Sequence, residues 1–528
     1  MNTIDRGWAS VPAWRTYATW LTFAACVVIA VLALQQLARY QLNNHLDHSA
    51  SAVLGALIHA DTPYHWSARE PSNLVAGRAF GTTEYSFDSQ GLRMRSQGEA
   101  IEAGLTLSGA IDLKRFARLH VQLASENAGS IAVVIRRSLD SPSCSSEQVP
   151  FQAGESSLTL DLHRLPWTCN GSPSPAPDRA EMLRLRLQLD SGSAATLGEV
   201  EARMSRQLTP SSLDQLQLPL IPDMQEPHAF ERALDRASAD IDGSLWPVLQ
   251  LSTDARVEQS LLARDLIQES IADATIVTHG GFLEVSRLAR QWEPESRDTG
   301  SELWPYGLLG LYAAILLWIR FRPVPGPRLR ALLELLGVAA VPLALIVGGA
   351  VSNDINPPLL GAGAITMAFA LSLLAGSAPA QPGARTLKRG WWVALFSVGL
   401  AFGVVMATGG HLPEYLPHFS QVLHYLLWAA ALQFVVCVIV ADRIERLVGS
   451  ALWAALGAAM IFALLTTPNG MLMQLSFAGG LIWVWNWQRH RALLANILAQ
   501  AVCALLLVNS LPSDWLRSGE VSARFFLH

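Results

Sequence analysis

Charged side chains are scarce in this sequence: they make up 15% of its 528 residues, whereas typical soluble domains carry about 25%. The shortage is also uneven along the chain. Only seven of the 43 acidic residues follow residue 303, and that part of the chain is strongly apolar. This distribution excludes an ordinary soluble protein. It predicts a water-soluble middle part followed by a membrane-embedded C-terminal part.

Lysine is nearly absent, since Lys114 and Lys388 are the only two lysines among the 38 basic residues. The sequence has no basic tract, so it gives no sign of a nucleic-acid partner. The net charge of −5 favours no particular class of partner. Arginine in place of lysine is typical of GC-rich bacterial genomes, and we therefore expect a bacterial protein.

Cysteine is also rare, with five residues in the whole chain. No CxxC motif and no Cys/His spacing suggests zinc, and we expect neither a metal nor a cofactor. Cys26, Cys437 and Cys503 fall in apolar runs, where cysteine acts as a small buried hydrophobe. Cys144 and Cys169 lie in the soluble part. They are expected to form a disulfide if that part is periplasmic, and to be free thiols if it faces a reducing compartment.

The first apolar run covers residues 20–37 and follows Arg6 and Arg15. A cleavable signal peptide is the alternative to a permanent anchor, but bulky residues stand where small ones would mark a cleavage site. We expect residues 1–40 to form an uncleaved anchor with a cytoplasmic N-terminus. Eight further runs approach the roughly 20 residues that cross a membrane. They cover residues 304–320, 331–351, 358–377, 391–409, 421–440, 448–466, 471–487 and 492–510.

Arginine is concentrated in alternate connections between these runs. The arginine-rich connections are 320–330, 383–390, 441–446 and 487–491, whereas those between them contain no Lys or Arg. Cytoplasmic loops gather Lys and Arg, so the pattern predicts a multi-pass protein of the bacterial inner membrane with residues 41–303 in the periplasm. The lipid bilayer is its first expected partner.

Residues 41–206 are expected to form one domain, and within 78–206 the sequence shows the alternation that is typical of half-buried β-strands. Leu119, Val121 and Leu123 share one face of "RLHVQLA", and the segments "SLTLDL" and "MLRLRLQL" repeat the pattern. Short strands of this kind, separated by Gly, Ser and Asp turns, predict an antiparallel β-sandwich. The pattern resembles the jelly-roll, galactose-binding-like modules that are found outside bacterial membranes.

The resemblance to galactose-binding-like modules implies a saccharide ligand, held by aromatic and polar side chains on one face or in edge loops. Trp167, Tyr85 and His163 are the candidate ligand-binding residues. The alternative for Trp167 is ordinary packing in the core of the sandwich or beside the disulfide.

Residues 207–303 begin with a Pro- and Gln-rich linker, after which the pattern changes from strands to helices. "RVEQSLLARDLIQESIADA" places Val257, Leu261 and Ile271 on one helical stripe. We expect a small helical or α/β segment here and a membrane domain over 304–528. The predicted fold is therefore a multi-span α-helical membrane protein of about nine transmembrane helices, with an inserted periplasmic β-sandwich and a small α/β segment.

The segment "ADRIER" places four charges, those of Asp442, Arg443, Glu445 and Arg446, between two apolar runs. Ionisable residues within a bilayer indicate function by default. On a continuous helix Asp442 and Arg446 would share a face and form an ion pair. The alternative is a tight cytoplasmic turn whose two arginines follow the positive-inside rule.

The C-terminal part of the chain resembles the CPBP family, the CAAX-protease-like intramembrane peptidases. "ADRIER" is similar to the EExxxR motif of that family, "FALLTTP" (462–468) to FxxxH, and residues 479–507 to the late HxxxN helix. The resemblance implies an eight-helix membrane core. It also implies a site in which glutamates and histidines activate water and an asparagine helps to hold the oxyanion.

Most catalytic positions of that family hold other residues in this chain. Ala441 and Asp442 stand at the two glutamates, Thr466 and Gln500 at the two histidines, and Ala504 at the asparagine. No imidazole remains at either expected position. A relative that has lost catalysis explains this pattern better than an active peptidase does.

Two sets of candidate site residues follow from the resemblance. Asp442, Glu445 and Arg446 are the candidate catalytic residues of the degenerate motif, while Thr466 and Gln500 are the polar positions that match the histidines of the family. The alternative for the polar pair is hydrogen bonding that simply holds helices together.

These observations favour a membrane protein that binds or scaffolds, with a CPBP-like core that lacks protease activity. Its periplasmic domain would bind a ligand such as a saccharide or an envelope protein, in polysaccharide assembly or sensing. One alternative is an active CAAX-type intramembrane endopeptidase. A second alternative is a small-molecule transporter.

Overall fold

The computed structural model describes residues 13–58, 62–69, 71–81, 84–98, 100–107, 109–138, 140–204, 220–221, 227–240, 246–251, 255–278, 282–291, 304–321, 326–347, 384–412 and 418–526. The chain divides into two compact units. The helical unit consists of residues 1–42, 256–259 and 297–528, and the sheet unit consists of residues 43–255 and 260–296.

The sheet unit contains two antiparallel sheets, as the alternating pattern predicted. In the first sheet the strand order is β11-β7-β16-β4-β3, and β1 pairs with β16. Its strands are β1 (His65–Ser67), β3 (Glu84–Asp88), β4 (Gly91–Arg95), β7 (Arg118–Ser125), β11 (Gly154–Asp161) and β16 (Ala194–Arg203).

The second sheet has the order β13-β12-β9-β8-β15-β5-β2, and β10 pairs with β8. Its strands are β2 (Leu74–Phe80), β5 (Ile101–Leu105), β8 (Gly129–Arg136), β9 (Cys144–Ser146), β10 (Val149–Phe151), β12 (Trp167–Cys169), β13 (Ser172–Ser174) and β15 (Met182–Gln188). A short pair, β6 (Ile111–Asp112) and β14 (Arg179–Ala180), completes the sandwich-like region.

Alternate residues of these strands form one hydrophobic core, which explains why the chain folds into two sheets. Val121 in the first sheet and Leu185 in the second are fully buried. The residues two positions before and after each of them are buried as well, namely Leu119, Leu123, Leu183 and Leu187. Leu54 and Leu57 belong to the same core. They lie near the end of helix α1 (Ala13–Ile58), which contributes residues to both units. Each such side chain contributes about 1.5–3 kcal/mol through its burial.

Cys144 and Cys169, the pair that the sequence suggested, form a disulfide. The two residues lie directly opposite each other where β9 pairs with β12. A bridge across a loop of this length stabilises a fold by about 3 kcal/mol, mainly because it restricts the unfolded chain.

A small α/β segment follows the sandwich in the sheet unit. Its three parallel strands are β17 (Leu220–Ile221), β18 (Val248–Leu251) and β19 (Thr275–Thr278), in that spatial order. Three helices accompany them: α2 (Pro227–Asp240), α3 (Val257–Ser270) and α4 (Phe282–Arg290). Parallel neighbours need such crossover helices, so this arrangement agrees with the α/β alternative of the sequence.

A buried carboxylate joins the α/β segment to the sandwich. Asp273 Oδ1 accepts hydrogen bonds from the Tyr64 hydroxyl at 2.6 Å and from the Asp112 backbone N–H at 3.0 Å. Burial, together with the nearby Asp112 carboxylate, raises the pKa of Asp273 from 3.8 to about 7, although the two hydrogen bonds and Arg115 oppose the rise. Asp273 is therefore largely protonated in the folded protein at mildly acidic pH.

The helical unit contains, besides the N-terminal part of α1, eight α-helices and one π-helical segment within the described residues. The α-helices are α5 (Trp304–Phe321), α6 (Pro327–Val347), α7 (Ala384–Ala407), α8 (Phe419–Gln433), α9 (Asp442–Val448), α10 (Ala451–Leu464), α11 (Gly470–His490) and α12 (Leu493–Ser510). The π segment is Phe434–Ala441.

Four helical stretches in the described parts of the chain are long and apolar enough to cross a membrane. They are Tyr17–Leu57, Lys388–Ala407, Phe419–Val448 and Leu493–Ser510. The expected count of nine spans is not established and stays a prediction. The run at 358–377 lies outside the described residues.

The charged segment "ADRIER" belongs to a helix. Helix α8, the π segment and α9 follow one another without a break from Phe419 to Val448. The turn comes at Gly449, which ends α9 with a φ of 74°, a left-handed conformation that favours glycine. The structure therefore has the continuous helix at this segment, and the tight turn that was the alternative is not found there.

The pKa of Asp273 makes the stability of the sheet unit depend on pH. Because this pKa is higher in the folded state than in the unfolded state, the native protein holds a proton that the unfolded chain loses between about pH 4 and pH 7. Its contribution to stability is complete below pH 3.8 and is lost as the pH rises through 7. A shift of this size corresponds to at most about 4 kcal/mol.

We therefore expect Asp273→Asn to stabilise the sheet unit at pH 8 and to have little effect near pH 4. Hydrogen–deuterium exchange of the α3–β19 region, measured for the variant and for the wild type at each pH, gives the difference in stability. The matched control is Asp190→Asn, because Asp190 is an exposed turn carboxylate. An equal effect of Asp273→Asn at both pH values would contradict the assignment.

Candidate functional site

The helical unit contains a partly open cavity of about 850 Å³. This volume lies in the upper part of the range for small-molecule sites. Its wall is built by α6, α7, α8, the π segment, α10, α11, α12 and the tail residues 519–522. Most of the lining side chains are aliphatic or aromatic, so the cavity fits an apolar ligand.

The cavity is elongated along α8 and the π segment. Tyr425 lines it at one end and Val440 at the other, a distance of roughly 20 Å at the rise of a helix. Small side chains make the space available, since Ala401, Ala501 and Ala504 stand where larger residues would fill it. A single hydrocarbon chain matches this narrow apolar shape better than a compact polar molecule does.

Gln500 lies in the apolar wall and is bonded to Gln433, which stands behind it. Gln433 Nε2 donates to Gln500 Oε1 at 2.8 Å, and both residues are buried, with 2% and 8% of their surface exposed. Cys437 Sγ donates to Gln433 Oε1 at 3.0 Å. Gln433 immediately precedes the π segment, and such segments are frequent at functional sites. Gln500 therefore presents an amide to the cavity from a position that its partners hold fixed.

A second buried network supports the wall behind these glutamines. Asn486 Nδ2 donates to Asn496 Oδ1 at 2.6 Å, and Asn496 Nδ2 donates to the Trp483 carbonyl at 2.7 Å. Trp483 Nε1 donates in turn to Ser397 Oγ at 3.0 Å, and both Trp483 and Ser397 line the cavity. These bonds cross between α7, α11 and α12, so they fix the three helices against one another.

Polar side chains gather where the cavity meets the C-terminal tail. Five residues form this polar mouth, namely His424, Tyr425, Thr466, Glu520 and Ser522. The tail is held in place by hydrogen bonds to the connection between α10 and α11. Asn469 Nδ2 donates to the Ser518 carbonyl at 2.7 Å, and the Ser522 N–H donates to the Thr467 carbonyl at 2.7 Å. The polar mouth is therefore a built part of the unit.

The charges of "ADRIER" form an ion-pair cluster on α6 and α9. Arg443 Nε lies 2.5 Å from Glu334 Oε2, and Arg443 Nη1 contacts the Asp442 carboxylate. Arg446 pairs with Asp442 at 2.8 Å, as the i,i+4 spacing predicted, and Arg330 pairs with Glu334 at 3.0 Å. The carboxylates of Asp442 and Glu334 are therefore neutralised by arginines.

The structure separates the two sets of candidates that the peptidase resemblance suggested. Thr466 and Gln500 both line the cavity, whereas Asp442, Glu445 and Arg446 are not among its lining residues. Thr466 uses its hydroxyl to donate to the Ala463 carbonyl at 2.7 Å. The resemblance thus pointed to two wall residues of the cavity, whereas the charged segment that it grouped with them lies outside the wall.

The three ligand-binding candidates of the sandwich lie in different surroundings. Trp167 is buried in the core and donates from Nε1 to the Leu162 carbonyl at 2.8 Å, which is the packing role that the sequence left open. Tyr85 is 44% exposed on β3 of the first sheet. His163 lies in an exposed turn, with Nε2 3.1 Å from the Leu113 carbonyl oxygen.

One surface group of the sandwich has the composition of a metal site. His65 on β1 faces Glu199 and Glu201 on β16, and their ligand atoms lie within 4.8 Å of one another. Arg69 pairs with Glu199 at 3.5 Å, and Arg203 pairs with Glu201 at 2.6 Å. Because arginines already neutralise both carboxylates, we assign no metal to this group.

Sequence reasoning missed Gln433, Asn486 and Ser397. The signal that was available is an amide or hydroxyl within a long apolar helix, because such a group needs a partner from another helix. No family model matches the chain, and no curated protein matches it. The resemblances to the CPBP family and to galactose-binding-like modules therefore rest on the quoted residues alone.

The buried part of the ion-pair cluster gives a test of the helical unit. Replacing Arg443 with Ala leaves Glu334 buried without its closest cation, and we expect a loss of about 3–5 kcal/mol of stability. The double variant Glu334→Gln, Arg443→Met removes both charges, and it should recover most of that loss. Thermal denaturation in detergent, followed by size-exclusion chromatography, measures these differences.

The control is Arg446→Ala, since Arg446 is half exposed and an exposed ion pair is worth less than about 1 kcal/mol. An Arg443→Ala protein that is as stable as the Arg446→Ala protein would show that the cluster does not hold α6 against α9.

Proposed function

We propose that the helical unit binds an amphiphile with a long hydrocarbon chain, so that the protein is a lipid-binding membrane protein. The observation that carries this proposal is the elongated apolar cavity with polar groups at its mouth and in its wall. A hydrocarbon chain gains about 0.8 kcal/mol for each methylene that leaves water. Its polar end would meet the polar mouth, while the chain lies along α8 and the π segment.

The same observations favour binding over peptide hydrolysis. Hydrolysis in the manner of the CPBP family needs a carboxylate free to activate water. Asp442, the carboxylate of the matching motif, pairs with two arginines and is not in the wall of the cavity. We therefore propose a CPBP-like bundle that keeps a cavity without the family's catalytic chemistry.

We further propose that the sheet unit faces the periplasm and that the protein is embedded in the inner membrane. The disulfide between Cys144 and Cys169 supports this orientation, since such bonds persist in oxidising compartments. The arginine-rich connections support it from the opposite side of the membrane. In that position the sandwich would meet saccharides or proteins of the envelope, with Tyr85 and His163 as candidates for the contact.

Filling the cavity tests the proposed function. We expect Ala504→Phe to lower the amount of lipid that stays bound during purification by about tenfold or more, because a loss of ~1.4 kcal/mol already gives that factor. Native mass spectrometry of the full chain in mild detergent measures the bound lipid. The matched control is Val502→Phe on the same helix, since Val502 is exposed and does not line the cavity. Equal lipid content in both variants would overturn the proposal.

Cysteine labelling tests the proposed orientation. A membrane-impermeant maleimide should label Ser191→Cys, in an exposed turn of the sandwich, when it is added to intact cells. It should label Val448→Cys, at the exposed end of α9, only after the inner membrane is permeabilised. The reverse pattern would place the sheet unit in the cytoplasm.

A further inference from the structure

We infer that the polar mouth of the cavity recognises a primary ammonium group on the amphiphile. This inference rests on the proposed function and names the chemistry of the ligand's polar end. The class is a long-chain amphiphile with a protonated amine, either a phospholipid of the ethanolamine type or a simple long-chain amine.

The charge of the cavity wall is negative. Among the lining residues that the structure describes, Glu520 is the only acidic one, and none of them is Lys or Arg. Asp514, in the same tail, pairs with Arg256, whereas no ion pair of the Glu520 carboxylate is found among the side chains that the structure describes. Glu334 and Asp442, by contrast, each pair with two arginines. A carboxylate beside an apolar cavity attracts a cation, and it disfavours an amphiphile whose polar end is a phosphate.

Ser522 supplies the second, independent observation. Its side chain lies in the wall and only 4% of the residue is exposed, yet its hydroxyl has no hydrogen-bond partner within the described residues. It also has a φ of 57°, which is rare for a residue other than glycine. Buried hydroxyls normally have a partner, and strained backbone gathers at ligand sites. A ligand group that accepts from or donates to this hydroxyl would supply the missing hydrogen bond.

Tyr425 and Thr466 add two hydroxyl groups to the same polar mouth as Glu520. The tail approaches Tyr425 closely, because a Cβ placed on Gly519 would lie 3.5 Å from the Tyr425 hydroxyl. The neighbouring Glu520 is held by its backbone, whose N–H donates to Ser518 Oγ at 3.3 Å. An ammonium has three donors and no acceptor, so it matches a mouth that combines one carboxylate with hydroxyl groups. A quaternary ammonium lacks those donors and would bind less well.

The experiment uses the full-length protein, freed of lipid in detergent and titrated with amphiphiles that share one acyl composition. Native mass spectrometry would measure the affinity for ethanolamine, choline and glycerol phospholipids, and for octadecylamine as an amine without a phosphate. We expect the ethanolamine lipid to bind about tenfold more tightly than the glycerol lipid, because a hydrogen bond to a charged group has that order of effect. Tight octadecylamine binding would show that the amine alone suffices. A preference confined to the ethanolamine lipid would identify the lipid headgroup as the source of the ammonium.

Glu520→Gln should abolish the preference for ammonium ligands while leaving the glycerol lipid bound. The matched control is Asp514→Asn, which removes a carboxylate of the same tail that pairs with Arg256 at 3.7 Å and does not line the cavity. Ser522→Ala is a second variant, for which we expect a smaller loss of about threefold.

The outcomes separate the two proposals. If Ala504→Phe leaves lipid binding unchanged, the cavity does not hold the chain and the proposed function fails. If Ala504→Phe abolishes binding but the wild type binds every headgroup equally, the proposed function stands and the ammonium inference is overturned. A preference that persists in Glu520→Gln and in Ser522→Ala also overturns it.

Discussion

Hydrogen-bonding groups in apolar surroundings must find their partners within the protein, and the helical unit is organised by this requirement. Gln433, Gln500, Asn486 and Asn496 are all buried, and each bonds to a group on another helix or segment. An amide without a partner in such a place costs several kcal/mol. The helices are therefore held in one arrangement, and the cavity between them keeps a defined wall.

The same requirement explains the charged residues in the helical unit. Arg443 and Glu334 are buried together and would each be unfavourable alone. Their partners Asp442 and Arg330 extend the pair into a chain of alternating charge. Because the charges satisfy one another, the cluster has a structural explanation without catalysis. Glu520 differs from them, since it lies at the cavity without such a cation within the described residues, and this contrast underlies its assignment to a ligand.

The sheet unit follows a different principle, in which alternating side chains bury one face of each sheet. Within this unit Asp273 is a carboxylate that is buried where the α/β segment meets the sandwich. Such a carboxylate makes the connection between the two parts sensitive to pH. The disulfide acts in the same unit by restricting its unfolded state.

The features that depend on local pattern could be predicted from the amino-acid sequence. Alternation over β7 and β15 predicted the two sheets, the apolar runs predicted the helices, and the composition located Cys144 and Cys169 in one domain. The pairing of Asp442 with Arg446 also followed from spacing on a helix. These predictions succeed because each needs only neighbours within a few residues along the chain.

The residues that form the site are brought together by tertiary packing, which the local sequence does not show. Thr466, Gln500 and Ser522 are distant in sequence and meet in one cavity wall, whereas Asp442 is excluded from it although it belongs to the motif that drew attention. Nothing in the local pattern showed that Gln433 would bond Gln500. The reason is physical: helix periodicity fixes which side chains share a face, but the packing of helices decides which faces meet.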